Sequence, residues 1–232
     1  MIKLTTLRHV LEVASQAMHC KTLRIRAWET ATKLALAADF VWNNLRVLDL
    51  DGCTLPPNTL AAILNALREC SGLQELRLDG NILDAHACGL VLGRVLQLNP
   101  VKVLGLCDSF WEPTYTWEEL MALAKGLPTT LETLYFGGER LGWAITDWQN
   151  MLQSLAPRLR VLKLAHNRLG DWEVRTLSER LADWQALEML DLDFNVLVCW
   201  DSGGCALTFR RCRASAESTC GDASSTLVTC SP

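Results

Sequence analysis

Residues 159–169 read LRVLKLAHNRL, and 28 positions later residues 187–197 read LEMLDLDFNVL. Four earlier stretches have the same form: LRVLDLDGCTL at 45–55, LQELRLDGNIL at 73–83, VKVLGLCDSFW at 101–111 and LETLYFGGERL at 131–141. The six copies begin 28, 28, 30, 28 and 28 residues apart, and a weaker copy, CKTLRIRAW, begins at position 20. A motif kept in register over this length indicates a repeat architecture. We number positions within each copy from its first residue.

Each copy predicts one strand followed by one helix. The apolar residues at positions 4 and 6 alternate with period two, as in a short strand with one buried face. Apolar residues then recur three and four apart, for example at Leu60, Ile63 and Leu64, as on one face of a helix. Pro100 and Pro128 come just before the next strand, where a helix must stop. Because one such unit cannot bury both of its apolar faces, the units are expected to stack.

The motif and its period resemble the leucine-rich repeats of the ribonuclease-inhibitor class, which also form the sensor arms of NOD-like receptors. The resemblance covers residues 20–197 and implies an α/β solenoid of about six to seven repeats, an arc with a concave parallel β-sheet and convex helices. In that family position 9 is usually Asn or Cys and bonds backbone groups between coils. The residues at position 9 here are Cys53, Asn81, Ser109, Glu139, Asn167 and Asn195. Because a buried carboxylate is costly, we expect Glu139 to turn outward from a distorted turn.

The two ends of the chain depart from the motif. Residues 1–19 place apolar side chains along one helical face, which predicts a truncated first repeat or cap, with a partner-binding helix as the alternative. Residues 198–232 are rich in Cys, Ser and Thr, and we expect a half-formed last coil followed by a partly disordered tail. Such a tail leaves the last coil poorly covered. The pattern leaves open whether the chain is a fragment of a longer protein.

Composition narrows the function classes. The 232 residues are 50% hydrophobic and 21% charged, with a formal net charge of −4, so broad electrostatic binding to nucleic acid is not expected. No apolar run approaches the roughly 20 residues of a membrane helix, and we predict no membrane association. No secretion signal is evident, so five singly placed cysteines are predicted to be reduced, which favours a cytoplasmic protein. These are Cys20, Cys53, Cys70, Cys88 and Cys107.

The predicted binding surface is the sheet face that carries positions 3, 5 and 7. Neighbouring strands lie about 4.8 Å apart, so these positions form continuous rows. We expect a mixed charged patch, a low-charge middle with Tyr135 as its anchor, and an acidic end. The candidate partner-binding residues are Arg24, Arg26, Asp49, Asp51, Glu75, Arg77, Asp79, Val103, Cys107, Tyr135, Lys163, Asp191 and Asp193, and the middle also includes Gly105 and Gly137.

Simpler interpretations of the same residues remain open. The charges on this face are expected to pair partly with each other, and three arginines are expected to neutralise Asp49, Asp51 and Asp79 in place of a divalent cation. Tryptophans in the outer helices are predicted to pack between coils, namely Trp117, Trp148, Trp172 and Trp184. Trp111 and Trp143 follow strands, and exposed binding anchors are the alternative there.

The sequence contains no nucleophile motif, phosphate-binding loop or metalloprotease helix, and we expect neither catalysis nor a metal or cofactor. The hypothesis is a non-enzymatic scaffold that recognises a protein partner through the concave face. The resemblance also allows a sensor or adaptor fragment of an NLR-type receptor or ubiquitin-ligase adaptor. A third hypothesis, that the chain activates small GTPases, has no motif in its support beyond the repeats themselves.

Overall fold

One three-residue strand lies at positions 3–5 of each motif copy in the computed structural model of this chain. The strands are β1 (Thr22–Arg24), β2 (Val47–Asp49), β3 (Glu75–Arg77), β4 (Val103–Gly105), β5 (Thr133–Tyr135), β6 (Val161–Lys163) and β7 (Met189–Asp191). They pair in parallel, in chain order, with each position opposite the same position of the next copy. The prediction of an α/β fold with a parallel sheet is therefore confirmed.

The structure describes residues 21–26, 42, 44–83, 85–109, 117–138, 145–196 and 227–229. The expected N-terminal helix at 1–19, the turn at Glu139 and the environments of Trp111 and Trp143 lie outside these ranges.

Five helices follow strands within the described residues. They are α1 (Pro57–Ala66), continued by a 3-10 turn at Leu67–Glu69, α2 (Ala85–Leu98), α3 (Trp117–Gly126), α4 (Ile145–Ser154) and α5 (Asp171–Arg180). Proline occupies the first position of α1, where its missing N–H removes no helical hydrogen bond. At the start of α5 the N–H of Gly170 donates to the Glu173 carboxylate at 2.8 Å. Each helix contacts the next one along the chain.

The core consists of the position-4 and position-6 side chains together with one face of each helix. All of these strand residues are buried, and in β4 and β5 they are Leu104, Leu106, Leu134 and Phe136. The helix pattern predicted at Leu60, Ile63 and Leu64 is also buried, as expected. Trp148 and Trp184 are buried and Trp172 packs partly against the core, whereas the Trp117 side chain lies outside the described part.

Position 9 forms a series of hydrogen bonds from each copy to the one before it. In every described copy its side chain donates to the carbonyl of position 6 in the preceding copy. The pairs are Cys53 to Ile25, Asn81 to Leu50, Ser109 to Leu78, Asn167 to Phe136 and Asn195 to Leu164. Since a buried carbonyl without a partner is costly, these bonds fix the spacing between copies.

The tail contributes a further strand to the sheet. Residues Leu227–Thr229 form β8, which pairs antiparallel with β7, so Leu190 lies opposite Val228. The expectation that the tail leaves the last coil uncovered is therefore wrong for the backbone of β7. An edge strand presents unpaired N–H and C=O groups, and β8 supplies partners for them.

Candidate functional site

The sheet face that carries positions 3, 5 and 7 is called the open face here. The position-3 side chains are all half-buried, while the position-4 side chains of the same strands are buried. At position 5 the in-register row is Arg24, Asp49, Arg77, Gly105, Tyr135, Lys163 and Asp191. The predicted candidates on positions 3, 5 and 7 thus lie on one continuous face.

An arginine–aspartate ion pair lies at the N-terminal end of the open face. Arg26 binds both oxygens of Asp49, at 2.6 and 2.7 Å, and the Arg24 Nε lies 3.5 Å from the same carboxylate. Burial works against the charge on Asp49, which is only 3% exposed. The bonds from Arg26 and from the Asp51 N–H outweigh burial, and the pKa of Asp49 is lowered. The pair therefore neutralises itself.

Arg77 forms no ion pair with Asp51 or Asp79, contrary to expectation, although its charge acts to lower the pKa of Asp79. Its Nε donates to Glu75 at 2.9 Å, and its guanidinium lies over the Tyr135 ring, 4.8 Å from the centroid. Within the described part of the chain, no basic side chain forms an ion pair with Asp51 or Asp79. Arginine was expected to take both because it adjoins them in the row, but the aromatic ring and Glu75 compete for it.

The sequence predicts a low-charge middle of the open face, and the structure contradicts that prediction. The Lys163 ammonium also lies over Tyr135, 5.2 Å from the ring centroid. Arg77 comes from two strands away on one side and Lys163 from the next strand on the other. Two cations therefore flank the predicted anchor, as the negative face of an aromatic ring favours.

Gly105 makes room for the Asp79 side chain. A Cβ atom added at Gly105 would meet the Asp79 Oδ2 at 2.1 Å, so the carboxylate occupies the space of the missing side chain. The Asp79 Oδ1 accepts the Cys107 N–H at 2.9 Å. Burial, together with the nearby Asp51 charge, raises the pKa of Asp79. Gly105 is therefore covered, and the open face carries a partly buried carboxylate at this point.

The acidic end predicted at Asp191 and Asp193 is present. The Asp193 N–H donates to the Asp191 carboxylate at 3.1 Å. Lys163 lies opposite Asp191 in the sheet register but points toward Tyr135, and no ion pair joins Asp191 to a cation in the described part. The two carboxylates thus give this end of the open face an acidic character.

A row of mostly apolar side chains runs along the open face. Only Val103 of this row was identified from the sequence. From β4 to β7 position 3 holds the half-buried residues Val103, Thr133, Val161 and Met189, which are apolar apart from the Thr133 hydroxyl. Val47 on β2 is separated from them by Glu75 on β3. Ion pairs at position 2, Lys102 with Glu132 and Arg160 with Glu188, lie beside the row. The row could have been found from the recurrence of Val at position 3, which a solvated strand face does not require.

Cysteine and histidine side chains on or near the open face make contacts within the fold. Burial raises the pKa of the Cys53 thiol to about 11, which makes it a poor nucleophile at neutral pH. The Cys107 sulfur accepts the Gly137 N–H at 3.3 Å, and the His166 ring stacks on Phe194.

Among the described residues, no three His, Cys, Asp or Glu side chains are grouped to hold a metal. None of the helices described has both the length and the apolarity to cross a membrane.

Comparison with known proteins gives no relative from which to transfer a function. No protein-family model matches the chain, and no curated protein matches it.

Proposed function

We propose that this chain is a leucine-rich-repeat solenoid of the ribonuclease-inhibitor-like class, with about six to seven repeats, and a non-enzymatic scaffold that binds a protein partner on the concave side of its sheet. The 28-residue motif and the position-9 hydrogen bonds support the class. The free, buried thiols of Cys53 and Cys70 fit a reducing compartment, and we place the protein in the cytoplasm.

The observation that carries the binding proposal is the half-buried apolar row of the open face. Positions 4 and 6 already supply the strand contribution to the core, so valine at position 3 is not needed there. The row is bordered by charged residues and lies beside Tyr135, an aromatic ring of the kind that dominates binding energy. An apolar centre with a polar rim is the usual anatomy of a protein interface.

A pair of matched variants tests the proposal by affinity purification from lysate of the cells that make the protein. The open-face variant combines Val103→Ser, Tyr135→Ala and Val161→Ser. The control combines Arg94→Ser, Gln149→Ala and Arg175→Ser, three exposed residues on helices. We expect a protein that wild type and the control retain and the open-face variant loses, with all three shown to be folded. Identical recovery from the open-face variant and wild type would contradict the proposal.

A further inference from the structure

The position-3 row of the open face crosses four adjacent strands, from β4 to β7. Its members lie opposite one another in the sheet register, in the order Val103, Thr133, Val161 and Met189. All four side chains are half-buried, and no charged residue interrupts them. The row ends at β3, where position 3 holds Glu75, which accepts a hydrogen bond from Arg77 at 2.9 Å. A partner on the row therefore meets an apolar strip that crosses the strands instead of following one of them.

The spacing of this strip matches the rise of an α-helix. Neighbouring strands lie about 4.8 Å apart, so the members of the row recur at about that interval. Residues on one face of a helix recur every three or four positions, which is about 4.5–6 Å at 1.5 Å per residue. An extended segment laid along the row would present the side chains of one face about 6.6 Å apart and would fall out of step with it. A helix of about ten residues spans the four strands.

One flank of the row is already neutral. At position 2 the Lys102 ammonium lies 3.0 Å from the Glu132 carboxylate, and the Arg160 Nε donates to Glu188 at 2.8 Å. These two ion pairs follow one another along the same four copies of the motif. Because each charge has its partner within the chain, this flank offers a bound segment little charge-based affinity.

The other flank, at position 5, holds two opposite charges that are not paired with each other. Lys163 on β6 lies opposite Asp191 on β7, yet its ammonium lies over the Tyr135 ring, 5.2 Å from the centroid. Within the described part of the chain, no basic side chain forms an ion pair with Asp191. An ammonium group has three donors, so Lys163 can contact the ring and still donate to a carboxylate. This flank therefore presents a group that attracts an anion and one that attracts a cation, one strand apart.

We propose that the open face binds an amphipathic α-helix of the partner, laid across β4 to β7. The apolar stripe of the helix packs on the position-3 row. On the position-5 side an acidic residue of the helix meets Lys163, and a basic residue three or four positions away meets Asp191. This rests on the proposed function, because it names the kind of partner segment that the open face binds.

The test starts from phage-displayed random 16-residue peptides selected on the full chain. Enriched peptides are labelled with fluorescein, and their Kd is measured by anisotropy. We expect apolar residues at intervals of three and four, with one acidic and one basic residue beside them. Proline at a polar position in the middle of the peptide breaks a helix and should raise the Kd about tenfold or more, whereas alanine there should leave it within about threefold. Circular dichroism of the mixture should show more helix than the two separate components.

Variants of the chain test whether the helix lies on the position-3 row. Val161→Ser should raise the Kd about fivefold, and Thr133→Val, which adds an apolar group in the centre of the row, should lower it about threefold. Tighter binding to the valine variant cannot come from a loss of folding. The control Arg94→Ser with Arg175→Ser, on α2 and α5, should leave the Kd within about twofold.

A charge exchange tests the position-5 flank. Lys163→Glu combined with Asp191→Lys should weaken the selected peptide and should bind more tightly a peptide whose acidic and basic residues are exchanged. Recovery by the exchanged peptide shows that the variant is folded. Equal preference of wild type and this variant for the original peptide would overturn the assignment of the flank.

Three further results would overturn the proposal. Enriched peptides with apolar residues at every second position, or with a Kd that proline does not change, would indicate an extended partner. If the open-face variant loses such peptides, the proposed function stands and the helix does not. Helical peptides that the open-face variant binds as wild type does would contradict both, because they bind another surface. No enrichment at all would overturn the helix proposal alone.

Discussion

Leu134 and Tyr135 are adjacent on β5, yet they lie in opposite environments. Leu134 is 1% exposed in the core, whereas Tyr135 lies half-buried on the open face between Arg77 and Lys163. One residue therefore contributes mainly to stability and the next mainly to the surface. Side chains on the other strands alternate between the same two faces, because successive side chains of a strand point to opposite faces. On β2 and β4 the position-5 residues Asp49 and Gly105 are nevertheless buried, by their neighbours on the open face.

Leu134→Ala should lower the free energy of unfolding by about 2–5 kcal/mol, because it removes buried methyl groups and leaves a cavity. Tyr135→Ala should cost much less, since it loses half-exposed surface and two cation contacts that are each about 0.5–1 kcal/mol at exposed sites. Urea denaturation of both variants measures the difference. Equal losses would mean that the register of β5 is wrong by one residue.

Asn81→Ala should destabilise the chain by about 1–3 kcal/mol. The fully buried side chain donates to the carbonyls of Leu50, Leu78 and Asp79 and accepts the Leu55 N–H. The Leu50 and Leu78 carbonyls keep backbone donors, so the group that loses its partner is the Leu55 N–H. Each buried group left without a partner costs about 1–3 kcal/mol. Denaturation beside Asn65→Ala, an exposed asparagine on α1, gives the comparison. If both changes cost the same small amount, the position-9 bonds do not hold the copies together.

Asp79→Asn should stabilise the chain at pH 7 by a small amount, and the gain should shrink as the pH falls. Burial and the Asp51 charge raise the pKa of Asp79, so the folded chain binds the proton more tightly than the unfolded chain does. As the pH falls, protonation of Asp79 removes the buried charge of the wild-type chain and its stability approaches that of the variant. The asparagine side chain is neutral at every pH, so the variant makes no such gain. Urea titrations between pH 4 and pH 7 follow the difference. A gain that grows in acid would contradict the raised pKa.

At the scale of elements, two glycines allow α2 and α3 to pack closely. A Cβ atom added at Gly126 would lie 2.6 Å from the Cα and the carbonyl oxygen of Gly93, closer than side-chain carbons come to backbone. One added at Gly93 would lie 2.9 Å from the Ala122 carbonyl oxygen. The backbones of α2 and α3 are thus in direct packing contact, and this contact fixes how one copy is stacked on the next.

Gly126→Ala should lower the free energy of unfolding by about 1–3 kcal/mol, the usual cost of overpacking. The direction of the change in stability is informative, because alanine in a helix interior is otherwise more stable than glycine by about 1 kcal/mol. Lys125→Ala, the exposed neighbour on α3, should change stability by less than about 0.5 kcal/mol. Thermal and urea unfolding of the two variants measure this. Stabilisation by Gly126→Ala would show that the helices are not in backbone contact.

For the whole molecule, the sequence predicts the strands well and the side-chain partners poorly. The 28-residue period fixes where each strand lies, because only one register buries Leu104 and its equivalents. Period-two alternation shows that Arg77 and Lys163 lie on the open face, but it does not show which way their long side chains turn. The placement of both over Tyr135 depends on contacts between different copies.

The stacked rings of His166 and Phe194 show a second limit of prediction from the sequence. Phe194 looks like any apolar residue that follows a strand, and its exposure depends on the positive φ of position 8. Glycine at Gly52, Gly80 and Gly138 signals that conformation, so the exposure of His166 and Phe194 was open to prediction from the repeat. Their stacking was not, since it requires the two turns to be side by side.

Site-specific photo-cross-linking tests the central claim most directly, namely that the open face is where the partner binds. A benzophenone amino acid is placed at Thr133, half-buried on the open face, or at Gln149, exposed on α4 in the same copy. Both proteins are expressed in the cells of origin and irradiated. We predict a discrete adduct of higher mass from position 133 and none from position 149. Adducts from position 149 alone would contradict the account and place the binding surface on the helices.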